Sequence, residues 1–256
     1  MKMAILGSGS KGNATVIQSA HTTLLIDCGL GPRLLTQRLA DFNLTFQDID
    51  AIFISHEHDD HIKGLKSIFR HHTPVLFTHE LTIEALDPSV HPYITSCMAG
   101  TAFHFQDVTL TPFQISHDAV APLGVIVEAE HRRLVHLTDT GFIPQAAYPY
   151  LAGAHAYVLE ANYDAQLLFN SARPYHLKKR IDSVKGHLSN VDASIHLAHL
   201  VQSHTHTVVF AHLSEDCNRP DLVVETADRI FQEYRIDPTP TLKPALARGL
   251  EDWILI

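Results

Sequence analysis

In the run Ser55-His-Glu-His-Asp-Asp-His61, four groups able to ligate a metal fall within six residues: His56, His58, Asp60 and His61. Neutral imidazole nitrogen and carboxylate oxygen are the donors zinc favours, and a carboxylate-containing set also serves manganese or iron. On a tight loop, His56 and His58 can converge on one ion while Asp60 and His61 turn towards a second. The spacing therefore points to a two-metal cluster. The ordinary alternative is a polar loop in a histidine-rich chain, which holds 20 histidines. What separates the readings is that the whole pattern follows an apolar strand, Ala51 to Ser55. His204 and His206 form another HxH pair, but they precede their strand and lack the Asp-His extension, so they read as a solvated loop. His71, His72, His79, His196 and His199 are read the same way.

The elements that must position the cluster are legible from periodicity. Ala4–Leu6, Ala14–Gln18 and Thr22–Asp27 read as successive strands, broken by the glycine-rich segment Gly7–Asn13. Pro32–Leu39 and Ile62–Phe69 have helical spacing, and Pro74–Thr78 is strand-like again. From 102 to 138 the pattern is one of hairpins: Ala102–Phe105, Val108–Ser116, Pro122–Glu130 and His131–Thr138. Strand and helix then alternate through Ala156–Glu160, Ala193–Gln202, Val208–His212 and Leu222–Tyr234. Two strand-rich halves flanked by helices predict an α/β fold of two mixed sheets in a four-layer αββα sandwich. One domain over residues 1–256 is expected. The tail 237–256, with Asp237-Pro-Thr-Pro-Thr-Leu-Lys-Pro244, is its least determined part and reads as a linker.

Composition narrows the class. With 256 residues, 45% of them hydrophobic and 18% charged, the chain is an ordinary globular protein. No apolar run approaches the roughly 20 residues that cross a bilayer, and no signal peptide is seen at the start, so a cytoplasmic protein is expected. Cys28, Cys97 and Cys217 are odd in number and form no CxxC pair, which argues against disulfides and thiolate zinc sites. A net charge of −9 does not suggest a generic nucleic-acid binder. Two bound divalent ions would, however, add positive charge in their own cleft, so the net charge says little about the field there.

HxHxDH after a strand resembles the signature of the metallo-β-lactamase superfamily. That resemblance implies His117 as a third ligand of the first site, Asp139 as the bridging carboxylate and His212 as the last histidine, each at a strand end. Leu6-Gly-Ser-Gly-Ser-Lys-Gly-Asn13, Ile26-Asp-Cys-Gly29, Glu160-Ala-Asn-Tyr-Asp164, Gly186-His-Leu-Ser-Asn190 and Ala211-His-Leu-Ser-Glu-Asp-Cys-Asn218 together resemble the WalJ/YycJ-like subfamily, over roughly residues 1–236. The resemblance implies metal-dependent cleavage of nucleic-acid phosphodiesters, including 5′-to-3′ exonuclease action on DNA. Glu160 and His187 are similar to a glutamate–histidine pair found near the scissile phosphate in nucleases such as tRNase Z. A carboxylate partner would favour the imidazolium required of a general acid. Asp60, Glu160 and His187 are thus the expected catalytic groups.

The implied cofactor is a pair of divalent ions, zinc first, with manganese or iron open. Such a pair lowers the pKa of a bound water and neutralises substrate oxyanions. Thioester or lactone hydrolysis and small-molecule phosphodiester hydrolysis could use the same ligands, and a non-enzymatic signalling accessory is the alternative from another class. Five basic residues between Arg173 and Lys185 could follow a phosphate backbone or simply be solvated.

Overall fold

The computed structural model describes residues 1–256. Its strands are β1 (Lys2–Gly7), β2 (Ala14–Gln18), β3 (Thr23–Ile26), β4 (Ala51–Phe53), β5 (Val75–Thr78), β6 (Ile94–Ser96) and β7 (Phe103–Phe105). There follow β8 (Val108–Gln114), β9 (Leu123–Ala129), β10 (Arg132–Leu137), β11 (Ala156–Glu160), β12 (Thr207–Ala211), β13 (Thr241–Pro244) and β14 (Ile254–Leu255). They form two seven-stranded sheets, in the orders β14-β1-β2-β3-β4-β5-β6 and β13-β12-β11-β10-β9-β8-β7. Two mixed sheets flanked by helices are the fold class expected from the sequence pattern. The chain divides into two units, one of residues 1–114, 119–131 and 247–255, the other of 115–118, 132–246 and 256.

In the first unit, β14, β1, β2 and β3 pair antiparallel and β3 to β6 pair parallel. The helix Pro32–Asp41 starts on Pro32, whose missing N–H is no loss in a first turn, and buries Leu35 and Leu39 one turn apart. These residues join Leu6, Val16, Leu25, Ile52, Ile54 and Leu76 in one apolar core. The helix predicted over Ile62–Phe69 is two short ones, Asp59–Ile62 and Leu65–Phe69. The break falls at Lys63–Gly64, where the Gly64 N–H donates to Cys28 O at 2.7 Å instead of continuing the helix.

In the second unit, β10, β11, β12 and β13 are all parallel. The two central strands, β11 and β12, are almost continuously apolar and wholly buried, because both faces of such strands are covered. The helix Asn190–Leu200 is capped by Ser189, whose Oγ accepts from the Asp192 N–H. The helix Pro220–Glu233 buries Val223, Ala227, Ile230 and Phe231, a stripe of helical period.

The tail is not a linker. Thr241–Pro244 pairs parallel with β12 in the second unit, and Ile254–Leu255 pairs antiparallel with β1 in the first. Its prolines hid this: Pro244 ends an edge strand, where a missing donor is tolerated. No helix is long and apolar enough to cross a membrane.

Candidate metal centre

Beyond β4 the backbone stays extended at His58, and one helical turn then begins at Asp59. Residues two apart in extended chain share a side. His56 and His58 accordingly face each other, with Nε2 of the first 3.1 Å from Nδ1 of the second. The helical turn sets Asp60 beside His61, their Oδ2 and Nε2 atoms 3.8 Å apart. Both pairs expected from the spacing are formed, and the rings of His56 and His61 stand 4.0 Å apart.

A buried polar layer orients these rings. Asp27 Oδ2 lies 2.8 Å from His61 Nδ1, and the same carboxylate accepts from the Ser55 N–H at 2.9 Å and the Ser55 hydroxyl at 3.0 Å. Ser55 Oγ is in turn 2.9 Å from His56 Nδ1. Engaging Nδ1 of both rings directs their Nε2 atoms to other work, the usual way a carboxylate fixes the tautomer of a ligating histidine. Asp27 adopts a left-handed φ of 57° just after β3, an uncommon conformation for a non-glycine residue. Asn13 completes the layer: its Nδ2 is 3.1 Å from His61 Nε2 and 3.4 Å from Asp60 Oδ2. Gly29 is required for this closeness, because a Cβ there would stand 1.6 Å from the Asp60 carbonyl oxygen. Asp27, Ser55 and Asn13 escaped residue-by-residue reading of the sequence. Asp27 and Asn13 do lie in two of the segments that carried the family resemblance.

The second unit assembles its groups at the C-terminal ends of adjacent parallel strands. Glu160 closes β11 in register with Ala211 of β12, while Asp139 and His212 follow β10 and β12. Both Asp139 and His212 have left-handed φ, 57° and 56°. Glu160 is fully buried, and its Oε2 accepts from His187 Nδ1 at 2.9 Å, His212 Nδ1 at 2.9 Å and the Asp139 N–H at 3.1 Å. Its Oε1 accepts from the Leu188 N–H at 2.8 Å. His212 Nδ1 also lies 3.0 Å from Asp139 Oδ1. Donor atoms of Asp139, Glu160, His187 and His212 all fall within 4.8 Å of one another. His117 borders the group, its Nε2 3.9 Å from Asp139 Oδ1 and its Nδ1 3.2 Å from Gly186 O. Each unit thus brings its own predicted residues together.

Charge follows from this packing. Burial works against a charged His212, but Asp139 and Glu160 outweigh it and push the imidazole pKa up to about 10. Burial likewise opposes ionisation of Glu160, yet His187 and His212 hold its carboxyl below the usual range. His117 is shifted down, chiefly by burial.

The basic segment before His187 is largely neutralised locally. Arg173 pairs with Asp216 at 3.0 Å, Lys179 with Asp182 at 3.5 Å and Arg180 Nε with Asp118 at 2.7 Å. Lys178 donates to the carbonyls of Phe169 and Ser171. Of the five, only Lys185 has neither a carboxylate nor a carbonyl partner. Among the histidines outside the cluster, His79 caps the helix Glu80–Ile83, His72 bonds the Ile49 carbonyl, and His196 bonds the Tyr148 hydroxyl at 2.7 Å. His204, in the HxH read as a solvated loop, is exposed and bonds the Gly153 carbonyl at 2.8 Å.

A family model described as a Beta-lactamase superfamily domain matches residues 22–213. The chain belongs to the metallo-β-lactamase superfamily. Its relatives within that superfamily include Exodeoxyribonuclease YycJ of Bacillus anthracis, 30% identical over 239 residues and matched across 91% of this chain and 90% of the relative. Exodeoxyribonuclease WalJ of Streptococcus pneumoniae serotype 2 (strain D39) is 34% identical over 227 residues, covering 86% and 84% of the two chains. The WalJ/YycJ-like resemblance of the sequence is therefore borne out, and the protein is a hydrolase of this superfamily. Among solved structures, YhfI from Bacillus subtilis superposes with a TM-score of 0.74 over 97% of both chains at 18% identity. The short form of human tRNase Z superposes with a TM-score of 0.62 at 16% identity over 84% of this chain and 93% of its own. At those identities the likeness is one of fold.

Proposed function

We propose that this hydrolase is a dinuclear-metal nuclease that removes nucleotides from DNA. The observation that carries the reading is the Glu160–His187 pair, joined at 2.9 Å and set beside Asp139 and His212. A phosphodiester leaving group needs a proton, and an imidazole backed by a buried carboxylate can supply one. Similarity to exodeoxyribonucleases over most of the chain supports the same substrate. A cytoplasmic location accords with DNA as substrate.

The residues fit divalent ions on chemical grounds. Each unit offers imidazole nitrogens and carboxylates, His56 and His61 are anchored through Nδ1, and no cysteine enters either set. In the order the superfamily motif implies, His56, His58 and His117 would hold one ion and Asp60, His61 and His212 the other, with Asp139 as the carboxylate that would serve both. We propose on the same ground that residues 1–256 work as a single domain. Zinc suits the nitrogen-rich set best, with manganese and iron as the competing occupants. When bound, two such ions supply an activated water and neutralise phosphate charge. The protein's own part is to keep the rings in register through Asp27, Ser55 and Glu160 and to orient His187 through its Nδ1 bond to Glu160.

End-labelled single- and double-stranded DNA and RNA, incubated with protein reconstituted separately with zinc, manganese and iron, test the proposal. Progressive loss of nucleotides from DNA is expected. Turnover of acyl thioesters or small phosphodiesters with none of any nucleic acid would overturn it.

A further inference from the structure

Two turns beside His187 and Asp139 expose apolar side chains that the ligand set does not use. Phe142 is 48% exposed and Val184 65% exposed. Scattered exposed apolar residues need no explanation, but these two sit on adjoining, hydrogen-bonded backbone. Thr140 Oγ1 accepts from the Ser116 N–H at 3.2 Å and donates to the Phe142 carbonyl at 3.0 Å. The Gly141 N–H donates to Ser116 O at 2.9 Å, and the Ser116 hydroxyl donates to Val184 O at 2.6 Å. The turns touch: a Cβ on Gly141 would meet Ser183 O at 2.1 Å and Val184 C at 2.7 Å. An aromatic ring and a branched aliphatic side chain are thus held on fixed turns. Phe142 is three residues beyond Asp139, and Val184 three before His187. Next to Val184 stands Lys185, exposed and without the carboxylate that pairs with Arg173, Lys179 and Arg180 or the carbonyls that hold Lys178.

We propose that Phe142, Val184 and Lys185 form a nucleotide subsite adjoining His187. The Phe142 ring and Val184 receive the face of an unpaired base, and the Lys185 ammonium receives a flanking phosphate. Apolar surface, an aromatic face and one uncommitted cation are the parts of a single-strand platform, in which stacking tolerates any base and charge follows the backbone. The subsite rests on the nuclease reading for its place beside the reaction, but its ligand is defined by its own chemistry.

Metal-loaded protein titrated into single-stranded oligonucleotides with 2-aminopurine at one terminus, joined by cleavage-resistant phosphorothioates, provides the test. The wild type quenches the fluorophore; Phe142→Ala loses at least half of that quenching and weakens binding about tenfold, whereas Phe142→Trp retains both. Lys185→Ala lowers the slope of log affinity against log salt by about 0.7. Quenching that is absent in the wild type, or equal in Phe142→Ala, overturns the subsite. Turnover of unmodified DNA is measured in parallel. Turnover with quenching indifferent to Phe142 leaves the nuclease reading standing and removes the subsite. Quenching that needs Phe142, without any turnover, does the reverse.

Discussion

Asp27 Oδ2 lies 2.8 Å from Nδ1 of His61, and both side chains are buried. A carboxylate in that position sets the tautomer and angle of the ring, and losing such a partner commonly weakens metal affinity 10–100-fold. Asp27→Ala is therefore expected to weaken metal binding by about that range, measured by competition with a chromophoric chelator. Asp27→Asn keeps an acceptor oxygen and falls between wild type and alanine. Equal affinities in all three proteins would show that the Asp27–His61 bond serves folding alone.

His187 separates two roles that its position allows, because its donor atoms lie within ligating distance of Asp139 and His212 while its Nδ1 is held by Glu160. As a general acid, His187→Ala should lower kcat on DNA by about 10²–10⁴ while metal content, read by elemental analysis, stays at the wild-type stoichiometry. Loss of an equivalent of metal would make His187 a ligand instead. Glu160→Gln replaces an acceptor of four hydrogen bonds with a group that must turn a donor towards some of them. It should impair both turnover and metal retention.

The sequence showed the donors of this centre far better than their supports. HxHxDH lies on contiguous residues, so its extended-then-helical geometry could be foreseen, and the strands ending at Glu160 and His212 have unbroken apolar runs. Asp27 lies 29 positions before His56 and meets the cluster only because β3 and β4 pair in parallel. No local pattern announces a contact made by strand register. The same applies to the local neutralisation of the basic segment, since Asp118 and Asp216 lie far from Arg180 and Arg173 along the chain. The edge strand Thr241–Pro244 was hidden for a different reason: proline-rich spacing looks like a linker unless its neighbour β12 is known.

Cysteine reactivity offers a test that needs no metal. Cys28, Cys97 and Cys217 are all buried and unpaired with one another. Burial pushes the Cys97 thiol up to about 12 and moves Cys28 upwards as well, with help from the charge of Asp27. Thiolate is the nucleophile in alkylation, so native protein at pH 8 should take up less than one equivalent of maleimide in an hour. Unfolding in guanidinium should expose all three. Rapid labelling of one native cysteine, located by mass spectrometry, would show that its cover opens readily.

Trp253 makes the tail's contribution measurable. It is the chain's single tryptophan, and it packs edge-on to Phe42 at 5.2 Å while Lys2 Nζ sits 4.1 Å over its ring. The segment around it is tied to the first unit by Leu250 N–H to Ile5 O at 2.9 Å and by Arg38 Nη2 to Leu250 O at 2.6 Å. Full truncation of a buried aromatic to alanine costs about 3–5 kcal/mol. Trp253 is only half-buried, so Trp253→Ala should destabilise the protein by about 2 kcal/mol in urea unfolding followed by circular dichroism. Lys2→Ala should remove about 0.5–1 kcal/mol through the lost cation–π contact. Because Trp253 sits at the β14 end of the sheet, its fluorescence reports the docking of that edge. If the tail only rested on the surface, its emission would change well before the circular dichroism signal; a docked β14 requires the two transitions to coincide.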